Sequence, residues 1–327
     1  MLILISSIML GLSSNNFLSI WLAMELNLLF FMPILINSKS VQECESSVKY
    51  FLVQSLSSSI FLFSSMLGSL SLNSLNINVL KMILITSIVM KMAAAPLHMW
   101  MPTVVSNSSW FNLYIISVPQ KILPLFIFMN LNLNWTIILS LSTMSIVLGT
   151  MGNLNQYSLK KLLAFSSISH ISWILLALKM TWVSFLFYFL FYALIMTEVC
   201  FLFDLTSTNF ISELNMKKDS SFLTMITSCK LLSLGGLPPF LGFYPKAIIV
   251  FNLMEMNFIW IMIIMLSFSM MSLFIYTRLT YHSLLMSFNS LKTLKVMSLF
   301  KKNYTWLLTS EAWTAFSTLT FFMFWQL

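Results

Sequence analysis

Residues 182–205 read WVSFLFYFLFYALIMTEVCFLFDL, an almost unbroken apolar run that is long enough to cross a lipid bilayer as a helix. A strand of a membrane barrel needs only about ten residues of alternating hydrophobicity, and this run is far longer. Lipid offers no hydrogen-bond partners to backbone N–H and C=O groups, so a long spanning segment must satisfy them internally as a helix. The stretch therefore predicts an all-α membrane protein.

Similar apolar runs recur along the rest of the chain. The other predicted membrane helices lie near 18–36, 47–70, 79–98, 110–130, 135–152, 160–179, 221–251, 255–281 and 305–326. Residues 2–12 are counted as a further short helix, although at about 1.5 Å per residue they span only half a bilayer. The sequence thus predicts a polytopic protein of about eleven transmembrane helices, with one transmembrane domain over 1–327.

The composition agrees with that prediction and excludes several other classes of protein. Charged residues make up 8% of the chain, whereas a soluble domain needs roughly 25% to wet its surface. The net charge is +8, but no basic stripe with interleaved aromatic residues accompanies it, so no nucleic-acid partner is expected. Cys44, Cys200 and Cys229 are too scattered for a disulfide framework or a metal site.

The lysines predict how the chain is oriented. Alternate loops carry them, and the positive-inside rule places those loops on the side of synthesis. They lie at Lys39, Lys160, Lys161, Lys217, Lys218, Lys292, Lys295, Lys301 and Lys302. With eleven spans, the N-terminus lies on the lysine-rich side and the C-terminus on the other.

Five ionisable residues fall near the middle of the predicted spans, where lipid disfavours them. They are Glu25, Lys91, Lys121, His170 and Lys246. A charged side chain at a helix centre costs about 2.5–3.5 kcal/mol on insertion scales, so such residues usually face the protein interior. Taken together at similar depth, they are the candidate catalytic residues of a proton relay.

Each of these residues also has a structural explanation. A lone lysine can extend its ammonium group to the interface, Glu25 can pair with a lysine to stabilise a helix bundle, and His170 can make a polar contact between helices. Burial generally lowers the pKa of a lysine and raises that of a glutamate, and an adjacent opposite charge does the reverse. A Glu–Lys pair that separates and re-forms would therefore act as a proton switch.

Helix-breaking residues lie beside three of these lysines. Proline removes a helical hydrogen bond, and the freed backbone groups are tolerated at membrane depth only within protein or beside a water-filled cavity. Broken helices in corresponding positions of two halves are typical of transporters with inverted repeats. The breakers are Pro96 after Lys91, Pro119 and Pro124 around Lys121, and Gly235, Gly236, Pro238 and Pro239 before Lys246.

Other polar residues are assigned less specifically. Lys49 is predicted near the membrane interface, with a part in the relay as the alternative. Lys160 and Lys161 are predicted to be positive-inside anchors. Glu198 lies within the 182–205 run, and its role stays open between a structural and a functional one. Motifs of soluble enzymes, such as GxGxxG, Walker, CxxC and HExxH patterns, are absent from the sequence.

Several of these segments resemble one known family. They are WLAMELNLLFFMPIL (21–35), KYFLVQSLSSS (49–59), KMAAAPLHMWMP (91–102), QKILP (120–124), GNLNQYSLKKLLAFSSISHISW (152–173) and LLSLGGLPPFLGFYPK (231–246). In this order they resemble the chain 2 family of antiporter-like subunits of mitochondrial NADH:ubiquinone oxidoreductase, respiratory complex I. The stretch 253–327 carries little of the family pattern.

The resemblance implies a fold and roles for residues. The fold would be two inverted five-helix repeats, about 1–130 and 135–285, followed by a terminal helix at about 305–327. Glu25 would be the acid that pairs with Lys91, Lys121 would bridge the two half-channels, and Lys246 would be the lysine of the second half. His170 would lie on the polar axis between Lys121 and Lys246.

It also implies a setting. The chain would lie in the mitochondrial inner membrane with its N-terminus in the matrix and its C-terminus in the intermembrane space. Its partners would be other complex I membrane-arm subunits, including neighbouring antiporter-like subunits, and lipids such as cardiolipin. It would bind no cofactor itself, since NADH, FMN, iron–sulfur clusters and ubiquinone would belong to other subunits. The alternatives are a stand-alone cation/proton antiporter and a structural scaffold.

Overall fold

The computed structural model describes residues 1–36, 40–69, 77–213, 221–238 and 240–290. In that part of the chain the regular structure is helical, apart from one isolated β-bridge between Ser158 and Phe210. The predicted terminal helix at 305–327 and the lysines at 39, 217, 218, 292, 295, 301 and 302 lie outside the described residues.

Thirteen α-helices occupy the described residues. They are α1 (Leu2–Ser13), α2 (Phe17–Leu35), α3 (Val41–Ser69), α4 (Ile77–Met92), α5 (Trp100–Ser106), α6 (Trp110–Ser117), α7 (Pro119–Asn130), α8 (Trp135–Leu154), α9 (Leu159–Met180), α10 (Trp182–Thr206), α11 (Ser221–Gly235), α12 (Phe243–Glu255) and α13 (Ile259–Ser290).

Seven helical segments are long and apolar enough to cross a membrane. They are Phe17–Leu35, Val41–Gly68, Trp110–Asn130, Trp135–Leu154, Leu159–Met180, Trp182–Thr206 and Ile259–Tyr281. Their outward side chains are apolar as well: in α10, Val183, Leu190 and Leu194 are exposed while Tyr188 and Tyr192 are buried. Because water would not favour such a surface, the protein is a multi-pass, all-α membrane protein.

Of the predicted single spans, one ends early and two are interrupted in the structure. The 79–98 run ends as a helix at Met92, and α5 begins at Trp100; the 110–130 run is divided at Val118; and the 221–251 run is divided between Gly235 and Phe243. Proline accounts for the division at Val118, since Pro119 begins α7 at a position where a helix needs no N–H donor. The count of eleven spans stays a prediction.

The described chain divides into two compact units. The first comprises Met1–Gly149 with Lys160–Ser172, and the second comprises Thr150–Leu159 with the described residues from Trp173 onwards. In the first unit, α4 packs on α3 and α7, and α2 packs on α1 and α3. In the second unit, α11 packs on α10 and α13, and α12 packs on the same two helices.

Candidate functional site

Lys91 lies one residue before the end of α4, in the first unit. The helix ends because Ala93 adopts a left-handed backbone conformation, with φ 56°. The Ala93 N–H then donates to the Met90 carbonyl and the Ala94 N–H donates to the Val89 carbonyl, which closes the helix in a Schellman arrangement. The Trp100 indole N–H also donates to the Met90 carbonyl, at 3.0 Å. The freed carbonyls are thus partly satisfied within the protein.

The environment of Lys91 combines burial with a nearby acid. The lysine is only 8% exposed, and its charge interacts electrostatically with the half-buried Glu25 of α2. Within the described residues the ion pairs closer than 4.0 Å are Lys49–Glu45 and Lys230–Glu198, so Glu25 and Lys91 interact without direct contact. The two charges therefore act on each other across more than 4.0 Å.

A small cavity adjoins the Lys91 side chain. Its polar lining comes from Asn27, Tyr50, Gln54, Lys91 and Gln120, and its volume is about 20 Å³. A polar cavity of roughly 10–15 Å³, counted over positions of the water centre, is enough for one ordered water. The cavity therefore provides space for a water beside the Lys91 ammonium, as a proton path requires.

An amide pair closes one side of that cavity. The Asn27 side-chain amide donates to Gln120 Oε1 at 2.8 Å, and the Gln120 amide donates back to Asn27 Oδ1 at 3.2 Å. Asn27 lies two residues after Glu25 on α2, and Gln120 lies next to Lys121 on α7. The pair thus connects the helix of the acid with the helix of the next lysine.

Replacing Gln120 with leucine is expected to destabilise the protein by about 1–3 kcal/mol, because the buried Asn27 amide loses its partner. The double change Asn27→Leu and Gln120→Leu should recover much of that loss, since removal of both partners leaves no unsatisfied amide. Thermal unfolding in detergent measures both. Gln54→Leu, at the same cavity but outside the amide pair, is the matched control; equal losses in all three variants would contradict the pairing.

Lys121 contacts the helix that carries His170. Its side chain is 2% exposed, and its ammonium donates to the Ser167 carbonyl of α9 at 3.4 Å. His170 follows one turn later on α9 and is 7% exposed. Helix α8 packs closely there, because a β-carbon at Gly149 would lie 2.8 Å from the Ser169 backbone nitrogen. The first unit therefore brings Lys121 close to the turn that contains His170.

Lys246 occupies the second unit, near the start of α12. Its ammonium donates to the Gly235 carbonyl at 2.7 Å, and the side chain is 9% exposed. Gly236 has φ 83°, and a β-carbon there would lie 2.9 Å from the Lys246 ammonium nitrogen. Glycine at 236 is thus needed both for the left-handed backbone and for the space that the ammonium fills.

The second unit also contains an ion pair that sequence reasoning missed. The Lys230 ammonium lies 2.8 Å from Glu198 Oε2, and the two side chains are 4% and 9% exposed. Glu198 was singled out from the sequence without a partner, and Lys230 was not singled out. The sequence offered one signal for Lys230, because this lysine lies in the same apolar 221–251 run as Lys246.

Lys49 and Lys160 lie apart from these buried groups. Lys49 is exposed and pairs with Glu45 one turn earlier on α3. Lys160 donates to the Ser108 carbonyl at 2.7 Å and lies 5.6 Å from the Trp110 ring centroid, so it fastens the start of α9 to the segment before α6. Within the residues that the structure describes, no group of three His, Cys, Asp or Glu side chains could hold a metal ion.

Comparison with known proteins assigns the chain to a family. The model of the family described as NADH:quinone oxidoreductase/Mrp antiporter, TM, matches residues 14–272. NADH-ubiquinone oxidoreductase chain 2 of Anopheles gambiae is 35% identical over 300 residues, which cover 88% of this chain and 86% of the relative. The chain belongs to the NADH-ubiquinone oxidoreductase chain 2 family.

Other animals have similar members of the chain 2 family. The Lumbricus terrestris chain is 37% identical over 287 residues, covering 86% of this chain and 84% of the relative. The Mus musculus chain is 35% identical over 296 residues, covering 88% of this chain and 85% of the relative. Because the matches extend along most of both sequences, the family assignment applies to the membrane protein as a whole.

Solved structures show the same fold at low sequence identity. A chain of respiratory complex I from Thermus thermophilus is 21% identical, with a TM-score of 0.76, and the match covers 89% of this chain and 76% of that chain. A chain of the membrane-bound sulfane sulfur reductase, an archaeal respiratory membrane complex, is 18% identical, with a TM-score of 0.81 and coverages of 99% and 73%. The likeness establishes the fold of the chain 2 family member.

Proposed function

We propose that this chain is a core membrane-arm subunit of proton-translocating NADH:ubiquinone oxidoreductase, complex I. It would contribute to proton pumping coupled to electron transfer from NADH to ubiquinone. The observation that carries the proposal is the burial of Lys91 and Lys121 within one membrane unit of a chain 2 family member. A purely structural membrane protein has no need for such costly side chains in its interior.

The proposed proton relay uses Glu25, Lys91, Lys121, His170 and Lys246. Glu25 would act on Lys91 through its charge, and a change in the distance between them would favour uptake or release of the lysine's proton. The proton would pass by the cavity at Lys91 towards Lys121, and then along the turn of α9 that contains His170. Lys246 would serve the second half of the relay. The buried positions and the Lys121–Ser167 hydrogen bond support this order.

The proposed architecture is two inverted five-helix repeats, about 1–130 and 135–285, followed by a terminal helix at about 305–327. The interruptions after Lys91 and before Lys246 support it, because they fall in corresponding places of the two halves. With eleven spans, the N-terminus would lie in the mitochondrial matrix and the C-terminus in the intermembrane space, with the membrane being the mitochondrial inner membrane.

The redox chemistry would take place elsewhere in the assembly. NADH, FMN, iron–sulfur clusters and ubiquinone would belong to other subunits, and this chain would contribute neither a redox group nor a nucleotide site. Its partners would be the neighbouring membrane-arm subunits, including other antiporter-like chains, and lipids such as cardiolipin. Coupling would therefore be mechanical and electrostatic, because no electron would pass through the chain.

A stand-alone cation/proton antiporter is the second candidate, since the matching family model is described for Mrp antiporters as well as for NADH:quinone oxidoreductases. Extraction in mild detergent, followed by a native gel stained for NADH dehydrogenase activity, separates the two. We expect migration with a very large, NADH-oxidising assembly. Migration as a small, inactive particle would favour the antiporter and call for ion-exchange assays in liposomes.

A further inference from the structure

We propose that Glu198 and Lys230 form a second acid–lysine switch, which controls the protonation of Lys246. The inference rests on the proposed function and deepens it, because it adds two residues to the relay in the second unit. The pair is direct, with 2.8 Å between the Lys230 ammonium nitrogen and Glu198 Oε2. It joins α10 to α11, two helices that pack against each other.

The burial of the pair argues against a purely structural role. Lys230 is 3% exposed and Glu198 is 7% exposed. Removing two charges from water costs free energy that their attraction only partly offsets, and well-packed apolar residues often stabilise a protein as well or better. Apolar side chains are the usual residues inside a membrane protein. A buried ion pair at such a position therefore indicates that its charges have a function.

A cavity connects the pair with the interruption between α11 and α12. Its volume is about 10 Å³, and its lining includes Glu198, Lys230, Ser233, Phe240 and Leu241. That volume approaches the roughly 10–15 Å³ in which a single water can be held between polar groups. Phe240 and Leu241 belong to the segment between α11 and α12. The cavity therefore borders the same interruption that Lys246 follows.

Lys246 lies at the other side of that interruption. Its ammonium donates to the carbonyl of Gly235, five residues after Lys230 on α11 and about 7.5 Å along the helix axis. The two helices meet without spare room, because a β-carbon at Gly242 would lie 1.8 Å from the Ser233 carbonyl oxygen. A shift of α11 relative to α12 would therefore change the surroundings of both lysines together.

The proposed step transfers one proton and no electron. When Glu198 moves away from Lys230, the Lys230 ammonium gives its proton to a neutral Lys246 amine, through a water where the distance requires one. Lys230 is left as a neutral amine and Lys246 becomes an ammonium, while Glu198 stays a carboxylate. The switch resets when Lys246 passes its proton onwards along the relay and Lys230 takes up a new proton, which re-forms its ion pair with Glu198.

The alternative is a clamp that only holds α10 to α11, and exchanging the two charges separates the two roles. Glu198→Lys combined with Lys230→Glu keeps an ion pair, but the ammonium then lies on α10. A clamp would be restored by this exchange in both assembly and proton pumping. A switch would assemble but would still pump poorly, because the proton donor lies on the wrong helix.

The measurement uses the assembled complex in proteoliposomes and records protons moved per NADH oxidised. Glu198→Gln, Lys230→Met and the exchanged pair are each expected to assemble and to lower that ratio by about 10²-fold or more, as loss of a proton-transfer group generally does. Glu255→Gln is the matched control, since this carboxylate lies on α12 of the same unit and is exposed. It should leave the ratio unchanged.

Lys91→Met, measured in parallel, distinguishes failure of this inference from failure of the proposed function. If Lys91→Met lowers the ratio while Glu198→Gln leaves it intact, the relay stands and the second switch is wrong. If the exchanged pair pumps normally, the clamp explains the pair. If Lys91→Met, Lys246→Met and the Glu198 variants all pump normally, the relay itself is wrong and the second switch falls with it.

Discussion

Lys91→Met in the assembled complex is expected to lower proton translocation by about 10²-fold or more, the range in which a positioned proton-transfer group contributes. Methionine has a similar length and suits an apolar site, so the packing around position 91 is kept. The lysine is 8% exposed and makes no ion pair within 4.0 Å among the residues that the structure describes, so its removal breaks no direct contact and takes from Glu25 only a longer-range interaction. Assembly and NADH oxidation measured with an uncoupler present should therefore be nearly unaffected.

The matched control is Lys81→Met. Lys81 lies on the same helix, α4, but is exposed. This substitution removes the same charge as Lys91→Met but leaves the buried residues of the proposed relay unchanged, so pumping should stay at the level of the unmodified protein. Proton uptake by proteoliposomes, followed with a pH-sensitive dye, gives the comparison. Normal pumping in both Lys91→Met and Lys246→Met would contradict the relay.

Gly242→Ala is expected to prevent stable assembly, with a free-energy cost of about 3 kcal/mol or more, the upper range for overpacking. The added β-carbon would lie 1.8 Å from the Ser233 carbonyl oxygen, which is backbone and cannot rotate away. The backbone at Gly242, with φ −66° and ψ −12°, is one that alanine adopts readily. The cost would therefore come from the contact between α11 and the start of α12 alone.

Gly68→Ala is the control for this substitution. Gly68 lies in α3, and a β-carbon there would meet nothing within 4 Å. Alanine in a helix is favoured over glycine by about 0.5–1 kcal/mol, so this variant should assemble at least as well as the unmodified chain. The amount of chain in the large assembly on a native gel measures both variants. Equal assembly of the two would show that α11 and α12 are free to separate.

The sequence was sufficient for some features of the site and insufficient for others. The burial of Lys91, Lys121 and Lys246 was predicted because a lysine within an apolar run is disfavoured in lipid, and the structure buries all three side chains. The interruption before Lys246 was found because two glycines and two prolines lie together. The helical fold followed from the length of the apolar runs, and the structure confirms it as a multi-pass, all-α architecture.

Pairings between distant segments could not be predicted. Asn27 and Gln120 are separated by 93 positions, and only the packing of their helices brings their amides together. The Glu198–Lys230 contact depends similarly on the rotation of α10 and α11 about their axes, which a uniformly apolar sequence does not specify. The break between α6 and α7 was also not predicted, because a membrane helix often accommodates a proline without being interrupted.

The hydrogen bond from Lys246 to Gly235 gives this lysine a counter-charge of an unusual kind. Gly235 is the last residue of α11, so its carbonyl belongs to the negative end of the helix dipole, equivalent to roughly half an elementary charge. A carboxylate such as Glu25 can be neutralised by a proton, whereas peptide dipoles cannot. The field that the helix end exerts on Lys246 therefore changes only when α11 and α12 move, which makes that half of the protein responsive to displacement.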